Sequence, residues 1–223
     1  MTGAAHSSIK STARTAGGLY LAVALFAAFG NMYVPSVLVV RGDAVATARN
    51  IATSELLFRT GILAHLISQI IFIFLVLTLY RLLKTVNKNH AVVMVVLALV
   101  GVPMASLNEA TRLTVLQLVG SAQTGASSAA QLQSQAMQFL DTWGNGIHVT
   151  LAFWGLWLLP LGLLVFRSGF LPKLLGILLV VSGAGYVIDA GMQLLLPGVA
   201  ALSQFTFVGE LLFLLWLLVK GVN

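Results

Sequence analysis

Residues 54–83 read SELLFRTGILAHLISQIIFIFLVLTLYRLL, and the fold class follows from this stretch. Beyond Ser54 it forms a largely aliphatic and aromatic run, longer than the roughly 20 residues a helix needs to cross a hydrocarbon core about 30 Å thick. The run nevertheless carries Glu55, Arg59, His65 and Gln69 into its opening turns. Charged and polar side chains inside an apolar span are costly unless they face one another or a water-filled cavity. The same stretch therefore predicts a membrane helix and a polar partner for it.

The rest of the chain reads in the same way. Of 223 residues, 59% are apolar and 8% charged, whereas about a quarter are charged in ordinary soluble proteins. There is no cysteine, which excludes disulfides, thiolate metal sites and cysteine nucleophiles. The formal net charge is +6, but the twelve basic residues are scattered singly and mostly flank apolar runs. That placement reads as membrane topology rather than as a nucleic-acid surface.

The expected architecture is all-α: a polytopic integral membrane protein folded as a six-transmembrane-helix bundle. A cytoplasmic tail, 1–14, precedes a single domain, 15–221, with spans near 15–38, 55–83, 91–119, 141–166, 171–196 and 199–219. The first apolar run is expected to be a retained span, since five more follow it. Gly17, Gly18 and Gly30 are expected close-packing points. Gly42 turns the chain, Asp43 caps a short surface helix over 44–51, Pro103 bends the third span, and Pro172 takes a first helical position. Pro197 and Gly198 close the fifth span. With both termini inside, eight basic residues fall on the inner side and four on the outer, which places both ends in the cytoplasm of a bacterial inner membrane.

Depth assignment then gathers the polar residues. His65 lies about 15 Å along the helix from Glu55. Arg59, His65, Gln69, Asn108, Glu109, Arg112, Asn145, His148, Asp189 and Glu210 all fall in the outer-to-middle half of the bundle, and this predicts a polar ligand-binding chamber open outward. Asp189 and Glu210 have no basic residue within a helical turn, so each needs a partner from another helix. Two chemistries suit such a set. His65, His148, Glu109, Asp189 and Glu210 together would make an N,O site for a divalent metal such as zinc or iron. Alternatively, Arg59 and Arg112 would supply positive charge to a small molecule or a lipid-like headgroup. The bland alternative pairs Glu55 with Arg59 and Glu109 with Arg112 within their own helices and leaves the histidines as packing elements. The four tryptophans, likewise, read as interfacial or bundle packing.

Several long stretches, ARTAGGLYL, RGDAVATARNIATSELLFRTGILAHL, LYRLLKTVN, FRSGFLPKLLGILLVVSGAGYVIDA and GELLFLLWLLVKG, carry a resemblance. In their order along the chain they resemble a prokaryotic membrane family, the domain of unknown function 4386. The resemblance implies a multi-span inner-membrane protein and carries no activity or site residue with it. Three functions stay open on the residues: binding of a small or lipid-like ligand with sensing or transport, a metal-assisted intramembrane hydrolase or oxidoreductase, and a structural subunit. No catalytic residue is singled out. The expected partners are the lipid bilayer, such a ligand, and a second copy or another membrane protein; nucleic acid is not among them.

Overall fold

The computed structural model describes residues 3–124, 128–196 and 201–222, and no strand occurs among them. The elements are α1 (Gly3–Ala28), a π-helical turn (Phe29–Tyr33), α2 (Val34–Leu38), α3 (Ala44–Thr53), α4 (Glu55–Leu83), α5 (Lys88–Gln123), α6 (Ala129–Leu156), α7 (Leu158–Arg167), α8 (Lys173–Leu195), α9 (Ser203–Thr206) and α10 (Val208–Val219). Five stretches are long and apolar enough to cross a membrane: Ser8–Leu38, Glu55–Leu83, Lys88–Gln123, Ala129–Arg167 and Lys173–Leu195. The sixth apolar stretch, Ser203–Val219, is shorter and is interrupted at Phe207 between α9 and α10. Leu56, Leu63, Phe74, Leu107 and Leu174 project from these helices uncovered by protein, as a hydrocarbon surrounding allows.

Local sequence explains most boundaries. Asp43 accepts a hydrogen bond from the Ala46 N–H at 2.8 Å and starts α3, and Gly42 takes φ +78° in the turn before it. Helix α1 already begins at Gly3, within the segment expected as a tail. Helix α6 begins at Ala129, well before residue 141, because AAQLQSQAMQFL is built of strong helix formers. Pro172 stands one residue ahead of α8, as its N-cap. The Pro197–Gly198 turn and the start of the sixth span at 199 lie outside the described residues.

The chain clusters into two compact units. Unit 1 comprises Met1–Ala22, Ile71–Pro103 and His148–Asn223; unit 2 comprises Val23–Ile70 and Met104–Ile147. Within unit 1, Trp157, Leu158, Leu161, Leu75, Leu79, Phe213 and Leu217 are buried. Two glycine pairs let backbones approach closely: a Cβ at Gly162 would lie 2.7 Å from the Gly176 carbonyl oxygen, and one at Gly155 would lie 2.6 Å from that of Gly183. Small residues at such crossings are how membrane helices gain packing where no hydrophobic driving force separates helix from lipid. Within unit 2, Val34, Leu38, Ile51, Phe58, Ile62, Val115 and Leu140 form a continuous apolar core.

Candidate functional site

The buried polar groups of unit 2 converge on Glu109, which is 1% exposed. Its Oε1 accepts from His65 Nδ1 at 2.7 Å and from Trp143 Nε1 at 3.0 Å, and its Oε2 accepts from Arg112 Nη1 at 3.2 Å. Helical spacing supplies half of this arrangement. Glu109 and Arg112 are three apart on α5, and His65 and Gln69 are four apart on α4, so each pair shares a face. Gln69 Nε2 lies 3.1 Å from His65 Nε2, so both ring nitrogens of His65 have a hydrogen-bonding contact. Ser68 Oγ donates to the His65 carbonyl at 2.6 Å, within the same turn.

Arg112 is wholly buried, with its guanidinium 4.8 Å from the ring centroids of both Phe58 and Trp143. Besides Glu109, its Nη1 reaches the carbonyl of Gly30 at 3.2 Å. That carbonyl is free for a reason written in the sequence. The Val34 N–H bonds Phe29 O in the π turn, and Pro35, the next residue that could serve Gly30, has no N–H to give. Gly30 also permits the approach: a Cβ there would lie 2.6 Å from the Gly61 carbonyl oxygen and 3.1 Å from His65 Cβ. Among the described residues the remaining guanidinium nitrogens, Nε and Nη2, have no acceptor, and Gln69 Oε1 has no donor. Beside Nη2 lies the position a Cβ would occupy on Gly61, 3.1 Å away.

Of the residues expected to bind ligand, His65, Gln69, Glu109 and Arg112 are brought together here. Asn108 stands behind them: its Nδ2 donates to the Trp143 carbonyl at 2.8 Å and so holds that tryptophan's backbone. Arg59 is elsewhere, in a 2.7 Å pair with Glu55 in which both side chains are more than half exposed. Asn145 is exposed. His148, Asp189 and Glu210 belong to unit 1.

In unit 1 the two carboxylates have partners other than cations. Both oxygens of Asp189 accept backbone N–H groups, from Leu202 at 2.7 Å and from Ser203 at 2.6 Å, which fixes the start of α9. Glu210 accepts from the Tyr20 hydroxyl on one oxygen and from Tyr186 at 2.6 Å on the other. It sits in the first turn of α10, just after the interruption at Phe207, rather than mid-way down an unbroken sixth span.

The expected metal set divides between the units, with His65 and Glu109 in unit 2 and His148, Asp189 and Glu210 in unit 1. Among the described residues no three of His, Asp and Glu are placed to hold a metal ion. His65 and Glu109 satisfy each other, and Asp189 is occupied by backbone donors. Reading the residues alone also missed Trp143, Phe58, Tyr20, Tyr186 and the Gly30 carbonyl. Trp143 had a usable signal, since a buried indole N–H needs an acceptor. The polar face of α6 marked by Asp141 and Asn145 drew attention instead, and both of those residues are exposed.

Long apolar helices with a buried polar network inside one unit define a multi-pass helical membrane protein. The chain belongs to the family described as Domain of unknown function (DUF4386), whose model matches residues 15–221. An uncharacterized protein of Archaeoglobus fulgidus is 43% identical over 70 residues, which cover 31% of this chain and 42% of that relative. The match thus spans less than half the relative's length. No solved structure matches the chain.

Proposed function

We propose that this protein binds a small ligand bearing an anionic or carbonyl oxygen at the Arg112, Glu109 and His65 cluster, as a sensing or transport protein of the bacterial inner membrane. One observation carries the reading: a guanidinium with no exposed surface has two nitrogens, Nε and Nη2, without an acceptor among the described residues. Leaving a buried donor unmet costs about 1–3 kcal/mol, more when it is charged, so an oxygen delivered there gains correspondingly. Arginine's planar fork suits carboxylate and phosphate oxygens, and the flanking Phe58 and Trp143 rings hold it in place. The cluster is closed in the state described, with His65, Glu109 and Arg112 all within 1% of full burial. Ligand entry thus requires the surrounding helices to part.

In this proposal the chain crosses six times with both termini in the cytoplasm, Ser203–Val219 being the last crossing. The distribution of basic residues supports that orientation. The test is native mass spectrometry and thermal unfolding in detergent with small carboxylates and inorganic phosphate. Wild type is expected to retain or gain an oxyanion that raises its unfolding temperature by several degrees. Arg112→Lys, which keeps the charge and loses the fork, is expected to weaken that response at least tenfold. A folded Arg112→Lys protein with an undiminished response would remove Arg112 from the site.

A further inference from the structure

Unit 1 holds eight basic residues, Lys10, Arg14, Arg81, Lys84, Lys88, Arg167, Lys173 and Lys220, and two acidic ones, Asp189 and Glu210. Those two acids are taken up by backbone N–H groups and tyrosine hydroxyls. Both arginine–carboxylate pairs among the described residues lie in unit 2. The unit 1 cations are thus left without carboxylate partners in the described part of the protein.

Two of them share a hollow. Lys10, Ser11, Arg14 and Thr15 line a shallow surface recess that is open over most of its area. The i, i+4 spacing of Lys10 with Arg14 and of Ser11 with Thr15 sets cations and hydroxyls side by side on one face of α1, at the start of the apolar stretch Ser8–Leu38. The recess is braced by the end of α10. Arg14 Nη2 donates to the Val219 carbonyl at 3.3 Å. Gly221, at φ +76°, brings the chain against Lys10, where an added Cβ would lie 3.2 Å from Lys10 Cγ. Arg14 is thereby held in place and keeps further N–H donors for an incoming oxygen.

We propose that this recess binds the phosphate of an anionic phospholipid headgroup, with Lys10 and Arg14 as the charged contacts and the Ser11 hydroxyl as a neutral donor. Its location at the end of a membrane-crossing stretch puts it at headgroup depth, where each basic side chain adds to attraction for anionic lipid. Thr15 donates its own hydroxyl proton to the Ser11 carbonyl at 3.1 Å, so it shapes the wall and does not donate to the ligand. The site is separate from the Arg112 cluster in residues and in ligand source.

The test uses the full chain in nanodiscs of phosphatidylcholine with or without phosphatidylglycerol, read by native mass spectrometry of retained lipid. Wild type is expected to prefer phosphatidylglycerol, and Lys10→Gln with Arg14→Gln to lose about tenfold or more of that preference. A control carrying Arg41→Gln with Arg49→Gln, an equal charge change in unit 2, is expected to keep it. Because Arg14 also braces α10, Lys10→Gln with Ser11→Ala provides a second variant that leaves the Arg14–Val219 bond intact, and it is expected to fall severalfold. An unchanged preference in both recess variants, or an equal fall in the control, overturns the proposal. So does stabilisation by inorganic phosphate that depends on Lys10 and Arg14 while phosphatidylglycerol adds nothing, since that marks a free-phosphate site.

Discussion

The two units handle charge in opposite ways. Unit 2 contains Arg41, Arg49, Arg59 and Arg112 against Asp43, Glu55, Glu109 and Asp141, and is formally neutral; unit 1, with eight basic residues and two acidic, carries the whole net charge of +6. In unit 2 opposite charges meet, and one pair does so entirely out of solvent. In unit 1 carboxylates are answered by neutral donors, and all the cations but Lys10 and Arg14 lie at helix ends and connections. The comparison separates two uses of charge in a membrane protein. Cations at the ends of spans orient the chain and meet headgroups, whereas a balanced buried set holds a specific geometry that apolar residues cannot.

Breaking the buried pair is the severest test of that contrast. Glu109→Ala leaves Arg112 buried without a counter-charge and is expected to cost about 3–5 kcal/mol in unfolding experiments in detergent. Glu109→Leu combined with Arg112→Leu is expected to recover much of the loss, because an apolar replacement strands no charge. Recovery of stability without recovery of oxyanion binding would show that the pair serves function rather than folding. A double variant as unstable as Glu109→Ala would mean that the pair is needed for the fold.

The next effect in size concerns backbone approach in unit 2. Gly30→Ala forces a methyl group to 2.6 Å from the Gly61 carbonyl oxygen, while Gly18→Ala, in unit 1, meets nothing within 4 Å. The first is expected to destabilise by about 1–3 kcal/mol. The second is expected to be neutral or slightly stabilising through helix propensity. Equal stabilities of the two variants in chemical denaturation would show that the π turn and α4 move apart at little cost.

Smallest of the three is the unit 1 counterpart. Asp189→Ala removes the acceptor of two N–H groups at the start of α9 and is expected to cost about 0.5–2 kcal/mol, as loss of a helix cap does. Faster hydrogen exchange confined to residues 201–207 is the accompanying signature. An Asp189→Ala loss as large as that of Glu109→Ala would erase the distinction between a structural carboxylate and a charge-balanced cluster.

Much of this was legible in the residues. Hydropathy placed the apolar helices, the Gly42–Asp43 turn and cap located α3, and i, i+3 and i, i+4 spacing marked Glu109 with Arg112 and His65 with Gln69. The single chamber drawn from depth alone groups Asp189 and Glu210, which belong to unit 1, with the His65 cluster of unit 2. Height along a membrane normal carries no information about azimuth.

That limit has a plain physical origin. A helix in lipid satisfies its own backbone hydrogen bonds, so its existence and extent depend on a local property, the run of apolar residues. Which side chains meet depends on how each helix is rotated, and rotation is settled by packing at distant positions. Gly30 against Gly61 and Pro35's missing N–H together brought the Gly30 carbonyl to Arg112. The turn of α6 that buried Trp143 and exposed Asn145 then completed the shell around Glu109. No run of residues along the chain contains those choices; they exist once the helices have docked.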